Sequence, residues 1–353
     1  MTSLPGQKRP TIRDVATLAK VSISTVSLYA QEAEKVSLET GQRIAAAMQQ
    51  LGYLHRPRSR NEKNRNGEKR KAALFGLLIE EMPKRAFPQK FYGAAIGAVE
   101  KLATQHNYSM LFASIQEERL PPMVEEEQVA GVIIVGGGPA NDALAVKLAE
   151  RKMPLVLLDN YVPGLAVDSI LPDNEWGGYT AFKHLVELGH QRIAIIEGPR
   201  KYKTLTDRLW GALRAAEECG IELPAGYRQP SISSGFPKKG YREMKQLLTL
   251  ADPPSAVFCV SDRAAMGAID AINEAGLRIP QDISLVGFDD DVYSEHTTTS
   301  LTTIHYNSEV MGNLAMHRLL ELMAGKEFHP MRIHVLTQLV TRNSAATFSN
   351  TRD

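Results

Sequence analysis

From Ala72 onward, short apolar runs alternate with stretches whose apolar residues recur at helical spacing, and this alternation most restricts the folds open to the chain. Segments 74–79, 109–113, 129–135, 155–158, 193–196, 256–260 and 284–288 read as buried strands. Between and after them, 93–106, 141–151, 176–188, 207–219, 240–248, 263–275 and 307–324 read as helices. In the first of these, Ile96, Val99, Leu102 and Ala103 share one face. Such alternation builds parallel sheets with helices on both faces, an α/β class. The 282 residues from Ala72 to Asp353 suit two such lobes. In open sheets of this kind a ligand sits beyond the carboxyl ends of the strands, and a cleft between two lobes closes by hinge motion.

Charge separates this body from what precedes it. Residues 1–71 carry 14 Lys and Arg against 6 Asp and Glu, a net of +8, whereas the remainder carries a net of −7. A basic head on an acidic body points to a polyanionic partner, or else to a solvated tail. Residues 11–52 read as three short helices. Thr11 can cap the first, with Asp14 in its first turn and Ile12, Val15, Ala16 and Ala19 on one face. Ser22 caps the second, which runs Ile23-Ser24-Thr25-Val26-Ser27-Leu28. Ser37 opens the third, with Ile44, Met48 and Leu51 inward and Gly52 as its stop. Two helices joined by a tight turn form a helix-turn-helix, whose second helix enters the DNA major groove. Thr11, Ser22, Ser24, Thr25 and Ser27 offer short donors to phosphates or base edges, while Ile23 and Leu28 suit thymine methyls. A generic three-helix bundle with serine caps is the alternative.

The segments Thr11-Ile12-Arg13-Asp14-Val15-Ala16, Val21-Ser22 to Thr25-Val26-Ser27, Val36-Ser37 and Leu51-Gly52-Tyr53 resemble the headpiece of the lactose/galactose repressor (LacI/GalR) family. The body resembles that family's effector domain in Asp173-Asn174, Leu188-Gly189-His190, Ser261-Asp262, Val286-Gly287-Phe288-Asp289-Asp290, Leu301-Thr302-Thr303-Ile304 and Leu339-Val340-Thr341-Arg342. The resemblance implies a helix-turn-helix headpiece at 1–54, a linker or hinge at 55–71 and an effector-binding and dimerisation domain at 72–353, built like a two-lobed periplasmic binding protein. Lobe one is expected at 72–171 plus 306–333 and lobe two at 172–305 plus 334–345, with crossings near 170–173, 303–306 and 332–335.

Several positions depart from the family pattern. Lys20 stands where the family usually has Gly, and Leu28 where it usually has Arg. Losing an arginine removes a bidentate guanine partner worth about 1–3 kcal/mol of discrimination, so the operator is expected to differ from the common one. Residues 55–71 hold eight Lys and Arg and no leucine, so the family's minor-groove wedge is missing. Arg56, Arg58 and Arg60 are expected to grip phosphates or a narrow minor groove there, the alternative being a solvated tether. Residues 114–128 are shorter than usual and broken by Pro121-Pro122, so a truncated helix is expected.

The resemblance also places the effector site. Arg208 matches the family arginine that grips the effector, and a guanidinium fork suits paired hydroxyls or a carboxylate. Asp289 follows a buried strand and can accept from sugar hydroxyls. Phe236 matches a stacking aromatic. Asp159 and Thr204 are further candidates, Tyr306 lies at a lobe crossing, and Ser261 replaces a frequent Asn.

Other chemistry finds little support. No G-x-S-x-G, H-E-x-x-H, Walker loop or C-x-x-C occurs, so no enzyme activity is expected. Gly136-Gly137-Gly138 fits a strand-end turn better than a dinucleotide fingerprint. Cys219 and Cys259 make neither a disulfide framework nor a metal site alone, and His184 and His190 are poorly spaced for one metal. No cofactor or metal is expected. The start MTSLPGQKRP lacks an apolar segment and no run approaches the ~18 residues of a membrane span, so a cytoplasmic protein with no membrane partner is expected. The overall expectation is a transcription regulator, a repressor by family default. It binds a double-stranded DNA operator as a homodimer, under control of a sugar or related metabolite. A solute-binding protein without a DNA role and an α/β enzyme are the competing readings. Whether the effector releases DNA or promotes binding, and whether dimers pair into tetramers, is left open.

Overall fold

The computed structural model describes residues 11–31, 36–51, 73–80, 90–115, 119–230, 239–295, 299–325 and 329–349. They fall into two compact units that divide between residues 71 and 72. Among them are eleven α-helices and twelve strands. No described helix is long and apolar enough to cross a membrane.

The smaller unit holds α1 (Ile12–Ala19), α2 (Ile23–Gln31) and α3 (Leu38–Leu51). Val15, Ala16, Ala19, Val26, Ile44 and Ala47 make its core. Ala16 and Ala19 keep the helices close, as alanine spacing on one face predicts. The Asp14 carboxylate reaches back to Thr11 N at 2.6 Å and accepts from Thr11 Oγ1 at 2.7 Å. Those bonds pull its pKa below the ordinary aspartate value. Lys20 ends α1 in the left-handed region, at φ 53° and ψ 48°. That conformation costs a non-glycine residue about 1–2 kcal/mol, which accounts for the family's usual Gly there. Arg43 of α3 holds the turn, donating to Ala19 O at 2.6 Å and Lys20 O at 3.0 Å.

The larger unit contains β1 (Ala73–Glu80), α4 (Lys90–Gln105), β2 (Tyr108–Ile115), α5 (Pro122–Glu125), β3 (Val132–Val135), α6 (Pro139–Glu150), β4 (Leu155–Leu158) and β5 (Asp168–Pro172). It continues through α7 (Asn174–Glu187), β6 (Ile193–Ile196), α8 (Lys203–Glu218), β7 (Arg228–Gln229), α9 (Tyr241–Leu248), β8 (Ala256–Cys259), α10 (Asp262–Glu274) and β9 (Ser284–Val286). It ends with β10 (Thr303–Tyr306), α11 (Ser308–Met323), β11 (Arg332–Val335) and β12 (Thr337–Val340). One sheet orders its strands β11-β5-β4-β3-β1-β2 and a second orders them β7-β6-β8-β9, all parallel. β10 and β12 pair antiparallel as a separate ribbon. Helices cover both sheet faces, so β3, β4, β6 and β8 are buried at every position. Each large apolar side chain removed from water contributes about 1.5–3 kcal/mol.

The chain passes between the sheets three times, from β5 into α7, from β10 into α11 and from β11 into β12. These crossings are short and mix polar with apolar residues, so apolar runs alone do not reveal them as strands. Several other boundaries move, the start of α4 from 93 to Lys90 among them. β3 starts at Val132 rather than 129, and α8 starts at Lys203, a full turn before 207. The segment after β2 holds only the four-residue α5, in line with its proline pair.

Candidate functional site

A cavity of about 190 Å³ lies where the strands of both sheets end. Asp159 follows β4, Gly136 and Gly137 follow β3, Ser261 closely follows β8, and Tyr306 is the last residue of β10. Asp289 stands in the turn after β9, and Thr204 and Arg208 lie on α8. Parallel topology puts every carboxyl end on one side, so residues far apart in sequence meet there.

Arg208 is the buried centre of this wall, 3% exposed. Its Nε donates to Asn174 Oδ1 at 2.8 Å, and its Nη1 donates to Val260 O at 2.9 Å and to Asp289 Oδ1 at 2.8 Å. The guanidinium carbon lies 3.7 Å from the centroid of the Phe288 ring. Tyr306 Oη donates to the same Asp289 oxygen at 3.3 Å. Two glycines let α7 and α8 approach closely enough to set this arginine in place. A Cβ at Gly178 would overlap the carbonyl oxygen of Arg208, and one at Gly211 that of Glu175.

Three aspartates at these strand ends adopt positive φ, Asp159 at 58°, Asp289 at 123° and Asp290 at 50°. Non-glycine residues there carry strain of order 1–3 kcal/mol, a cost that concentrates at ligand sites. The backbone around them fixes two of these turns: Asp159 N donates to Ile170 O at 2.8 Å and Asp289 N to Ile304 O at 2.9 Å. Asp159 Oδ1 is buried without a hydrogen-bond partner among the described residues. Burial pushes its carboxyl up to about 7 against the opposing pull of Arg208. Beneath the cavity, Asp262 accepts from Ser294 Oγ at 2.5 Å, Thr303 Oγ1 at 2.6 Å and Asp291 N at 2.9 Å. Burial still raises it to about 7. Ser261 caps α10, its Oγ accepting from Ala264 N at 3.3 Å, a role serine and asparagine share.

Two contacts join elements of the two lobes: Lys203 of α8 pairs with Asp142 of α6, and Tyr161 Oη donates to Asp207 Oδ1 of α8 at 2.9 Å. Within the first lobe, the Arg332 guanidinium lies 4.1 Å from the Tyr161 ring centroid.

In the smaller unit, Ser22, Ile23, Ser24 and Leu28 are exposed on or beside α2, with Thr25 and Ser27 half-buried and Thr11 exposed at the start of α1. Ser22 Oγ accepts from Thr25 N at 3.1 Å and lies 2.6 Å from Ser24 Oγ and 2.7 Å from Thr25 Oγ1. Ile23 at 44% and Leu28 at 38% exposure leave apolar side chains in water, as a helix face built to meet another surface does.

The structure thus brings Asp159, Thr204, Arg208, Ser261, Asp289 and Tyr306 around one cavity. Phe236, Arg56, Arg58 and Arg60 lie outside the described residues. Sequence reasoning missed Tyr92, Tyr202, Leu205, Lys239, Arg263 and Asp291, as well as the lining role of Gly136 and Gly137. A glycine pair directly after a buried strand was a usable signal, since positive φ at Gly136 exposes backbone to the cavity. Tyr92 and Lys239 carried no local signal. His190 is structural: its ring lies 2.9 Å from Ser255 Oγ and 3.1 Å from Ala346 O, tying down the C-terminal segment. No cluster able to hold a metal occurs among the described residues.

Residues 11–55 match the family described as bacterial regulatory proteins, lacI family, and residues 182–345 match the periplasmic binding protein-like domain. The HTH-type transcriptional repressor PurR of Escherichia coli O139:H28 is 33% identical over 346 residues, covering 95% of this chain and 97% of PurR. A solved complex of the transcriptional regulator CelR with cellobiose superposes with a TM-score of 0.71 at 28% identity, over 96% of this chain and 100% of that one. The lac repressor dimer bound to operator and the anti-inducer ONPF gives 0.67 at 27% identity, over 96% and 100%.

Proposed function

Since the chain belongs to the lacI family of bacterial regulatory proteins, and so is a DNA-binding transcription regulator and not an enzyme, we propose that it is a repressor whose operator affinity is set by a small effector held between its lobes. The domain plan is a headpiece at 1–54, a linker at 55–71 and an effector-binding, dimer-forming body at 72–353. PurR and the lac repressor are named as repressors, the solved regulator CelR holds cellobiose, and the lac repressor is a dimer on its operator. On this reading the present chain works in the cytoplasm, as a two-fold dimer on a pseudo-palindromic operator.

The observation that carries the reading is the convergence of a buried arginine and strained aspartates on one cavity at the carboxyl ends of both sheets. Arg208 and Asp289 offer donors and acceptors to ligand hydroxyls, and Asp159 contributes an unused acceptor. Phe236 adds a stacking face on this proposal. Ser22, Ile23, Ser24, Thr25, Ser27 and Leu28 face the major groove, Thr11 meets phosphate, and Arg56, Arg58 and Arg60 follow the backbone. An effector shifts operator affinity only by its difference in affinity for the two lobe geometries.

Selection of bound DNA from a random pool, with and without a library of sugars and nucleosides, tests this. The expected result is an enriched palindrome whose retention changes with one compound. Absence of any enriched sequence would overturn the regulator reading.

A further inference from the structure

Among the described residues, Lys239 is a cavity-lining cation that a neutral sugar does not explain. It directly precedes Gly240, the cap of α9, and is only 8% exposed. Its amine has neither a hydrogen bond nor an ion pair among the described residues, and Glu243, one turn further on, makes no ion pair with it and leaves its own Oε2 unpartnered. Taking an ammonium out of water costs several kcal/mol unless an opposite charge meets it. The nearby carboxylate that attracts it is Asp289, but Arg208 and Tyr306 already occupy one oxygen of that group. Arg263 and Arg208 repel it. Burial and those two cations lower its pKa to about 8, so at neutral pH the ammonium is still mostly charged. The Lys239 ammonium is therefore buried beside two other cations and bonded to no carboxylate among the described residues.

The same cavity also holds Asp159, whose carboxylate acts on Arg208, Tyr92 and Tyr306. Its free Oδ1 calls for a hydroxyl donor. One site thus presents both an acceptor for hydroxyls and an unmatched ammonium.

We propose that the effector is an anionic polyol, a sugar acid or a sugar phosphate, whose oxyanion is held by Lys239 with Arg263 beside it and whose hydroxyls face Asp159 and Asp289. This deepens the effector reading and rests on it. The oxyanion supplies the charge the fold omits, and a charge-assisted hydrogen bond in a nearly dry corner discriminates strongly against the neutral parent.

Calorimetry on the full chain, with D-glucuronate, D-gluconate, D-glucose 6-phosphate and inorganic phosphate set against D-glucose, tests the proposal. At least one anion is expected to bind ten-fold or more tightly than D-glucose. Glucuronate or gluconate in the lead identifies a carboxylate, and the two phosphate compounds in the lead identify a phosphate. Lys239→Met should erase that preference while raising the melting temperature, because an unpaired buried charge is removed, and Lys239→Arg should keep most of it. Equal binding of D-glucose, binding of none of the anions, or a preference that survives Lys239→Met would overturn the proposal. Operator retention separates this failure from failure of the effector site itself. If D-glucose binds and changes operator retention, only the anion assignment falls. If no compound binds and none changes retention, both fall.

Discussion

The body contains two buried arginine networks, one in each lobe, and they are finished differently. Arg318 of α11 donates to Asp168 from Nε at 3.2 Å and from Nη2 at 3.0 and 3.1 Å, and to Glu321 from Nη1 at 2.7 Å. Asp168 also accepts from Met331 N at 3.0 Å. Every oxygen of that aspartate is used, and the pair joins α11 to β5 of the first sheet, between β11 and β4. Arg208 of α8 is as deeply buried, but its aspartate opens on the cavity, sits at positive φ and lies beside a carboxyl with an unmatched oxygen. Both arginines ride on helices packed through a glycine, Gly312 against Ala95 O in one case and Gly178 against Arg208 O in the other. A closed network holds the fold, whereas an open one leaves places for a ligand.

Breaking the closed network should have the largest effect on stability. Arg318→Met strands Asp168 in a dry site, and a loss of about 3–5 kcal/mol is expected in denaturant unfolding, with effector binding retained in the folded fraction. A loss under about 1 kcal/mol would remove the contrast. Next comes Gly178→Ala, whose methyl must push α7 from α8. About 1–3 kcal/mol should be lost, along with the effector response, because Arg208 moves. Gly312→Ala should cost as much stability and leave the response intact; equal loss of response in both would show that the glycines do not separate the two roles. Arg208→Lys keeps the charge but not the fork, and about 1–3 kcal/mol of effector affinity should go, roughly ten- to hundred-fold in titration.

The smallest effect concerns pH. Asp159 holds its proton to about 7 in the folded chain, above its ordinary value of 3.8. The folded state therefore binds more protons than the unfolded one, and stability falls as pH rises from about 4 through 7. Asp159→Asn should remove on the order of 1 kcal/mol of this fall, discounted because the side chain opens on the cavity. Asp262 shifts in the same direction and remains, so the variant's curve should be shallower rather than flat. Melting temperatures of the two proteins that run parallel from pH 5 to 8 would contradict the assignment.

Much of this was readable in the residues. The βα alternation marked the principal strands of both sheets because helix-covered parallel strands are apolar at every position. Ser22 declared a helix start, since a cap depends on a neighbour three residues away. The resemblance brought Arg208 and Asp289 to one site. The resemblance placed the crossings near 170–173, 303–306 and 332–335; what apolar runs missed was that β5, β10, β11 and β12 are strands, since their pairing partners are distant and their composition mixes polar with apolar.

Local order along the chain therefore settled most of the elements, the headpiece helices and the family. Those depend on periodicity, capping and motif, which act within a few residues. The meeting of Tyr92, Lys239 and Arg263 with Asp159 was decided only by the tertiary structure. Strand order brings residues 92, 159, 239 and 263 to one rim, and only that enclosure turns an ordinary lysine into a buried charge without a partner.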